Sequence, residues 1–130
     1  MPKILIVEDD EILVKMYKRK FEHDGFTVEA AYSGGEGIIA ASREKPDLIL
    51  LDIMMPAVDG FEVIKNLKAV RETKDIPIVI LTNLGTSEIF IDEAKRLGVK
   101  NYLVKYKTSA SEVVKTIKKE LGESGKAEAR

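Results

Sequence analysis

The chain has 130 residues, a length that suits one domain with a substantial hydrophobic core. It is 45% hydrophobic and 33% charged, and its net charge of -1 argues against strong nucleic-acid binding. It has no apolar run near the ~18 residues of a membrane span, no signal-peptide pattern at its amino terminus and no cysteine for a disulfide or thiolate metal site. We therefore expect a globular, cytoplasmic protein with no membrane insertion and no direct contact with nucleic acid.

Five short segments rich in aliphatic residues recur along the chain and are predicted to be strands. They lie at residues 3–7, 27–31, 48–51, 78–81 and 101–104. All-aliphatic runs such as 48–51 and 78–81 are typical of strands that are buried on both faces of a parallel sheet.

The first three strands are each followed by a predicted helix. The first helix begins after Asp10, a natural N-cap, and Asp24 with Gly25 ends it. A weaker second helix follows Ser33, and Gly60 opens a third with apolar residues at helical spacing.

Two further helices follow the fourth and fifth strands. The fourth is predicted over residues 87–97 and is stopped by Gly98. The last one begins after Ser109, which has the spacing of a capping box with Glu112 in the first turn.

The order of these elements predicts the fold class. Five strand–helix units with short connections favour a parallel sheet with helices on both faces, which is a doubly wound α/β architecture. We predict one domain over residues 1–122 and a flexible polar tail over residues 123–130.

Polar residues stand at the ends of four predicted strands. Glu8 and Asp9 follow the first strand, Asp52 the third, Thr82 the fourth and Lys105 the fifth. The carboxyl ends of parallel strands share one edge, which is where ligands bind in open α/β sheets. Three carboxylates converging there repel one another unless a cation intervenes. Oxygen ligands without His or Cys favour Mg²⁺.

The same edge suits a phosphoryl group. Lys105 and Thr82 supply a point charge and a hydroxyl donor for phosphoryl oxygens. A carboxylate such as Asp52 is able to accept the phosphoryl group as an aspartyl phosphate. Taken singly, these residues have ordinary interpretations as a cap, a strand-end hydroxyl and a solvated charge. Their arrangement on four strands favours a functional site.

Residues 3 to about 121 resemble the receiver domain of two-component response regulators, of the single-domain, CheY-like type. The similarity is carried by Ile-Val-Glu-Asp-Asp at 6–10, Leu-Asp-Ile-Met-Met-Pro at 51–56 with Asp-Gly at 59–60, Leu-Thr at 81–82 and Tyr-Leu-Val-Lys at 102–105. The resemblance implies a flavodoxin-like fold with strand order 2-1-3-4-5.

The resemblance also implies a magnesium-dependent phosphoacceptor. Asp52 would take a phosphoryl group from a sensor histidine kinase or a histidine phosphotransfer protein. Asp9, Asp52 and the backbone carbonyl of Met54 would hold Mg²⁺, with Glu8 acting nearby through water. Such a domain is a switch rather than an ordinary enzyme, because it catalyses only its own phosphorylation and dephosphorylation.

The remaining implied roles concern the switch. Thr82 would bind one phosphoryl oxygen, Lys105 would pair with another, and Tyr102 would change rotamer together with Thr82. The face formed by helix 4, strand 5 and helix 5 would then change its affinity for a downstream protein. On this face, Phe90 and Ile91 belong to an apolar run that is wider than one buried stripe requires, so with Tyr102 they are candidates for partner contact.

The sequence departs from the family pattern at four positions. Tyr106 follows the lysine where a cis proline is usual, and a cis bond without proline costs about 2.5–4 kcal/mol, so we expect a trans peptide or a strained loop. Asn83 replaces a small residue and would either hinder a phosphodonor or hydrogen-bond the phosphoryl group. Met54 and Leu84 are apolar beside the path of the hydrolytic water, which predicts slow self-dephosphorylation.

Three alternatives stay open at this stage. The chain could be a scaffold that works without phosphorylation, or a receiver cut from a longer regulator. It could also be an enzyme or nucleotide binder, since residues 48–52 resemble a Walker B strand. No G-x-x-x-x-G-K-[ST] motif accompanies that strand, which disfavours the last alternative.

Overall fold

The structure, a computed structural model, describes residues 1–56, 59–84 and 87–123. Strands and helices alternate in the predicted order. The strands are β1 (Lys3–Val7), β2 (Thr27–Ala31), β3 (Leu48–Leu51), β4 (Ile78–Thr82) and β5 (Asn101–Val104). The helices are α1 (Glu11–His23), α2 (Gly34–Glu44), α3 (Gly60–Ala69), α4 (Glu88–Arg96) and α5 (Ala110–Glu123).

The five strands form one parallel sheet in the order β2-β1-β3-β4-β5, which confirms the order implied by the resemblance. The chain reverses direction across the sheet between β1 and β3, and the crevice at such a switch point is the usual ligand site. Val7 pairs with Leu51 across these two strands. The residues that follow them, Glu8 and Asp52, therefore start from neighbouring points of the carboxyl edge.

Side chains from both faces of the sheet are buried, because successive strand residues point to opposite sides. Leu5 and Ile49 belong to a core cluster that is closed by residues of α2, α3 and α4. Ile4 and Leu50 belong to a second cluster that is closed by α1 and α5. This double covering explains why the central strands are aliphatic throughout.

Capping residues fix where the helices begin. The Asp10 carboxylate accepts hydrogen bonds from the backbone N–H groups of the first turn of α1. Ser109 and Glu112 form the predicted reciprocal capping box at α5, with distances of 2.9 and 3.2 Å. α5 extends to Glu123, and the predicted flexible tail over residues 123–130 stays a prediction. The rest of the predicted tail lies outside the described residues.

Gly60, the first residue of α3, packs directly on the segment that carries Asp52. A Cβ atom at Gly60 would lie 2.2 Å from the Cα atom of Ile53, so a glycine is required by space rather than by its backbone angles. The Gly60 N–H also donates to the Ile53 carbonyl, at 3.1 Å. These contacts hold the segment after β3 against α3. Among the described residues, no helix combines the length and the apolar character needed to span a membrane.

Candidate functional site

Three of the predicted carboxylates converge at the carboxyl edge of the sheet, beside the β1–β3 switch point. Glu8, Asp9 and Asp52 each place one carboxylate oxygen within 4.8 Å of the others. Asp9 is exposed, whereas Glu8 and Asp52 are each only 5% exposed. Two buried acids side by side need compensation, since a buried charge is stable only when it is paired and hydrogen-bonded.

Lys105 supplies that compensation from the end of β5. Its Nζ atom lies 2.9 Å from Asp52 Oδ2 and 2.5 Å from Glu8 Oε1. Backbone N–H groups take the remaining oxygens, because Asp10 N donates to Glu8 Oε2 at 3.1 Å and Met54 N donates to Asp52 Oδ1 at 3.0 Å. Each buried carboxylate is therefore held by one ammonium contact and one backbone amide.

The pKa values show that this compensation is incomplete for Glu8. Burial raises the pKa of Glu8 to about 7, and the hydrogen bonds from Lys105 and Asp10 N–H only partly oppose that rise. Burial works against the charge on Lys105 too, but its bonds to Glu8 and Asp52 leave the pKa of Lys105 raised. When all three acids are ionised, one ammonium faces three carboxylates, so the site holds excess negative charge.

The residues fit a small divalent cation. Their donors are hard oxygens with no His or Cys among them, which suits Mg²⁺. At Mg–O distances of about 2.0–2.1 Å, octahedral ligands lie ~2.9 to ~4.2 Å apart, so the group must close by less than about 2 Å or use water in between. Met54 lies beside Asp52 with its side chain exposed, and the role of its carbonyl stays a prediction.

Thr82 ends β4 and is fully buried. Its hydroxyl oxygen accepts a hydrogen bond from Leu84 N at 3.2 Å and has no hydrogen bond to Asp52. The Thr82 hydroxyl is therefore engaged with its own loop in this conformation. Leu84 is half-buried against the core cluster on the α3 side of the sheet.

Tyr102 of β5 lies against the same cluster, with its hydroxyl buried and without a hydrogen-bond partner among the described residues. Burial, and then the negative charge of Asp52, raise the pKa of this phenol. A buried hydroxyl that is left unpaired is unfavourable, so the inward position of Tyr102 has an energetic cost. Its predicted rotamer change stays a prediction.

The loop after β5 has trans geometry. The Lys105–Tyr106 peptide is trans, which is the first of the two outcomes expected without a proline, and Lys105–Lys107 forms a single 3-10 turn. Asn83 accepts a hydrogen bond from Tyr106 N through Oδ1, at 3.1 Å, and its predicted effect on a phosphodonor or phosphoryl group stays a prediction. Asn83 also lines the open recess above Asp52 and Lys105.

The three apolar residues at the start of α4, Ile89, Phe90 and Ile91, differ in their exposure to solvent. Ile89 is 76% exposed, while Ile91 is half-buried. Phe90 packs against the core, and its ring stacks on Phe61 with a centroid distance of 6.4 Å. The predicted partner face of Phe90, Ile91 and Tyr102 stays a prediction, and the most exposed apolar side chain of the run is Ile89.

Sequence reasoning missed one residue beneath the site. Tyr17 of α1 was interpreted only as part of a helix face, yet it lines a small cavity together with Glu8 and Asp52. Burial raises the pKa of Tyr17, and Lys105 and Glu8 act on it with opposite signs. Helical spacing identifies the buried face of α1, but it does not indicate which buried residue reaches the sheet edge.

Comparisons with known proteins agree with this geometry. The family model described as the response regulator receiver domain matches residues 4–118. PilH of Pseudomonas aeruginosa is 38% identical over 109 residues, covering 81% of this chain and 86% of PilH. The chemotaxis protein CheY4 of Vibrio cholerae has a solved structure with a TM-score of 0.86 and 31% identity, covering 93% of this chain and 99% of that one.

Other relatives are longer. The DNA-binding dual master transcriptional regulator RpaA of Synechocystis is 39% identical over 105 residues, covering 81% of this chain. The match covers only 43% of RpaA. The chain thus spans less than half the length of this regulator.

Proposed function

We propose a function from one premise, that this chain belongs to the receiver domains of two-component response regulators. Receiver domains are phosphoacceptor switches. Within that family, we propose that Asp52 is the phosphoacceptor and that a sensor histidine kinase or a histidine phosphotransfer protein is the donor. The switch would then act on a downstream protein through the face of α4, β5 and α5. Family membership also supports the cytoplasm as its location.

The observation that carries the proposal is the pairing of a buried Asp52 with Lys105 beside two further acids. Asp52 is nearly inaccessible except from the open recess that Asp9, Asn83 and Lys105 also line. A carboxylate that only capped a loop would not need an ammonium 2.9 Å away and two acids within reach of the same cation.

The proposed reaction transfers one phosphoryl group to Asp52. A carboxylate oxygen of Asp52 attacks phosphorus, a P–O bond forms, and the P–N bond to the donor histidine breaks with its electron pair on the imidazole nitrogen. The ammonium of Lys105 already contacts Asp52, so it is close enough to pair with a phosphoryl oxygen as charge develops there.

Glu8, Asp9 and Asp52 would hold Mg²⁺, with the Met54 carbonyl as a further ligand. When bound, this ion offsets negative charge on the carboxylates and on the incoming phosphoryl oxygens. The side chains of Glu8 and Asp9 would thereby let a dianionic donor approach a site that is otherwise negative.

Thr82 and Tyr102 would change conformation when Asp52 is phosphorylated, and this change would alter the face of α4, β5 and α5. The Thr82 hydroxyl would exchange its bond from Leu84 N for a bond to a phosphoryl oxygen. The unpartnered hydroxyl of Tyr102 would gain partners by turning outward. A ligand shifts such an equilibrium only by its differential affinity, and a change from 1:99 to 99:1 needs about 5.5 kcal/mol.

Intact mass after incubation with acetyl phosphate and Mg²⁺ tests the proposal. We expect one added phosphoryl group that requires Mg²⁺, that is absent from Asp52→Ala and that persists in Asp75→Asn. Asp75 is a matched exposed aspartate that precedes β4, at the opposite edge of the sheet. If the wild-type chain gains no phosphoryl group, a scaffold that works without phosphorylation becomes the better interpretation.

The decay of the phosphorylated form tests the predicted slow self-dephosphorylation. Met54 is 57% exposed and lines the recess beside Asp52, whereas Leu84, two positions after Thr82, packs against the core cluster on the α3 side of the sheet. Neither side chain offers a group that orients water, so we propose a half-life of minutes or longer. A half-life of seconds would contradict this expectation.

A further inference from the structure

Asn83 joins the two loops that carry Thr82 and Lys105. Its Oδ1 atom accepts a hydrogen bond from Tyr106 N at 3.1 Å, between residues that are 23 positions apart in the chain. The Tyr106 N–H belongs to the peptide group that leaves Lys105. A hydrogen bond at this group therefore restrains the plane of the Lys105–Tyr106 peptide. It thereby restrains the direction of the Lys105 Cα–Cβ bond.

Few other contacts hold this turn. β5 is an edge strand with β4 as its single neighbour in the sheet, and three of its four residues are only half-buried. On the far side, the Thr108 hydroxyl donates to the Val104 carbonyl at 2.8 Å, while Thr108 N reaches the Lys105 carbonyl at 3.3 Å. Among the described residues, the bond to Asn83 links the turn to the segment directly after β4, the strand toward the centre of the sheet.

The position of Lys105 matters because its ammonium serves two carboxylates at once. Its contacts to Asp52 and Glu8, at 2.9 and 2.5 Å, need the aliphatic stem to start in one direction. A proline at position 106 would have no N–H to give to Asn83. The bond from Tyr106 N to Asn83 therefore depends on a residue other than proline at position 106.

We infer that Asn83 is a positioning residue, which fixes the Lys105 ammonium for phosphoryl transfer by holding the Tyr106 N–H. The inference rests on the proposed function, because it assigns Lys105 a part in that transfer. Asn83 directly follows Thr82, so it also connects Thr82 with Lys105, the two residues proposed to bind phosphoryl oxygens. A movement of the Thr82 loop would be transmitted to the Lys105 turn through the hydrogen bond from Tyr106 N to Asn83.

Two substitutions separate this role from simple obstruction of the recess. Asn83→Ala removes both bulk and acceptor, whereas Asn83→Leu keeps the bulk and removes the acceptor. Asn66→Ala and Asn66→Leu are matched controls, because Asn66 is an exposed asparagine of α3 whose amide bonds to the Glu62 carbonyl at 2.9 Å. An exposed hydrogen bond of ordinary strength corresponds to about a two- to tenfold effect.

The first measurement uses NMR on the unphosphorylated protein without metal. We expect the Tyr106 amide to exchange about two- to tenfold faster in both Asn83 variants. We also expect the protected ammonium signal of Lys105 to broaden in these variants and to stay sharp in both Asn66 controls. Unchanged Tyr106 exchange and an unchanged Lys105 signal would overturn the inference.

The second measurement is the initial rate of phosphorylation by acetyl phosphate with Mg²⁺. Both Asn83 variants should react about two- to tenfold more slowly than wild type, and Asn83→Ala should have no further effect in a Lys105→Ala background. If Asn83→Ala slows the reaction equally in the Lys105→Ala background, the inference is overturned. It is also overturned if Asn83→Ala reacts faster than wild type while Asn83→Leu reacts at the wild-type rate. Failure of the wild-type chain to react contradicts the proposed function instead, and the NMR comparison still decides the role of Asn83.

Discussion

In the metal-free protein we expect Glu8 to make the free energy of unfolding depend on pH. Burial raises the pKa of this carboxyl from 4.5 to about 7. Between these two values the folded chain binds more protons than the unfolded chain. The stability that Glu8 contributes is therefore fully present below about pH 4.5 and is lost as the pH rises through about 7.

The size of the effect follows from the two pKa values. One pKa unit corresponds to about 1.36 kcal/mol, so the complete shift amounts to about 3 kcal/mol. Between about pH 5.5 and pH 8, the linkage relation assigns about 2 kcal/mol of this to the loss of the Glu8 proton.

Urea unfolding of the wild type and of Glu8→Gln in EDTA, at pH 5.5 and pH 8, measures this contribution. Glutamine keeps the volume and an acceptor for Asp10 N–H but has no proton to lose. We expect the wild type to lose about 2 kcal/mol relative to the variant between these two pH values. Parallel stability curves for the two proteins would refute the reasoning.

Excess Mg²⁺ provides a second check on the same reasoning. Metal ligands must be deprotonated, so protons compete with the ion for Glu8. We expect the stability gained from Mg²⁺ to be larger at pH 8 than at pH 5.5. An equal gain at both pH values would show that Glu8 has no part in binding the ion.

Three further predictions concern single residues. Gly60→Ala should destabilise the fold by about 1–3 kcal/mol or more in urea unfolding, because the new Cβ meets the Ile53 backbone, while Gly35→Ala, which has open space, should not. Ser109→Ala should cost about 1 kcal/mol through loss of the α5 cap. Tyr102→Phe should raise the melting temperature because it removes an unpaired buried hydroxyl, and a lower value would show that this hydroxyl has a partner.

The sequence was sufficient for the fold because its local signals agree with one another. All-aliphatic strands such as β3 and β4 have one stable arrangement, a parallel sheet covered on both faces. Asp10 and the Ser109–Glu112 pair mark helix starts through backbone bonds that span only a few residues.

The convergence of the acids was also predictable, since parallel strands bring their ends to one edge. Contacts between loops were not predictable. The bond from Tyr106 N to Asn83 depends on the register of β4 against β5, and the approach of Tyr17 to Glu8 depends on where α1 lies along the sheet. Helical spacing identifies the buried face of α1, but it does not indicate which residue of that face reaches the sheet edge.

The raised pKa of Glu8 indicates that the negative charge of this site is not fully compensated in the metal-free protein. Two buried carboxylates lose more hydration than one ammonium restores, and buried ion pairs often contribute little net stability. A cation that binds only the folded chain adds stability in proportion to the logarithm of its concentration above its dissociation constant. Binding of Mg²⁺, or of another cation, to Glu8, Asp9 and Asp52 should therefore raise the free energy of unfolding. Removal of the excess charge by Glu8→Gln should reduce that gain while it stabilises the metal-free protein at pH 8.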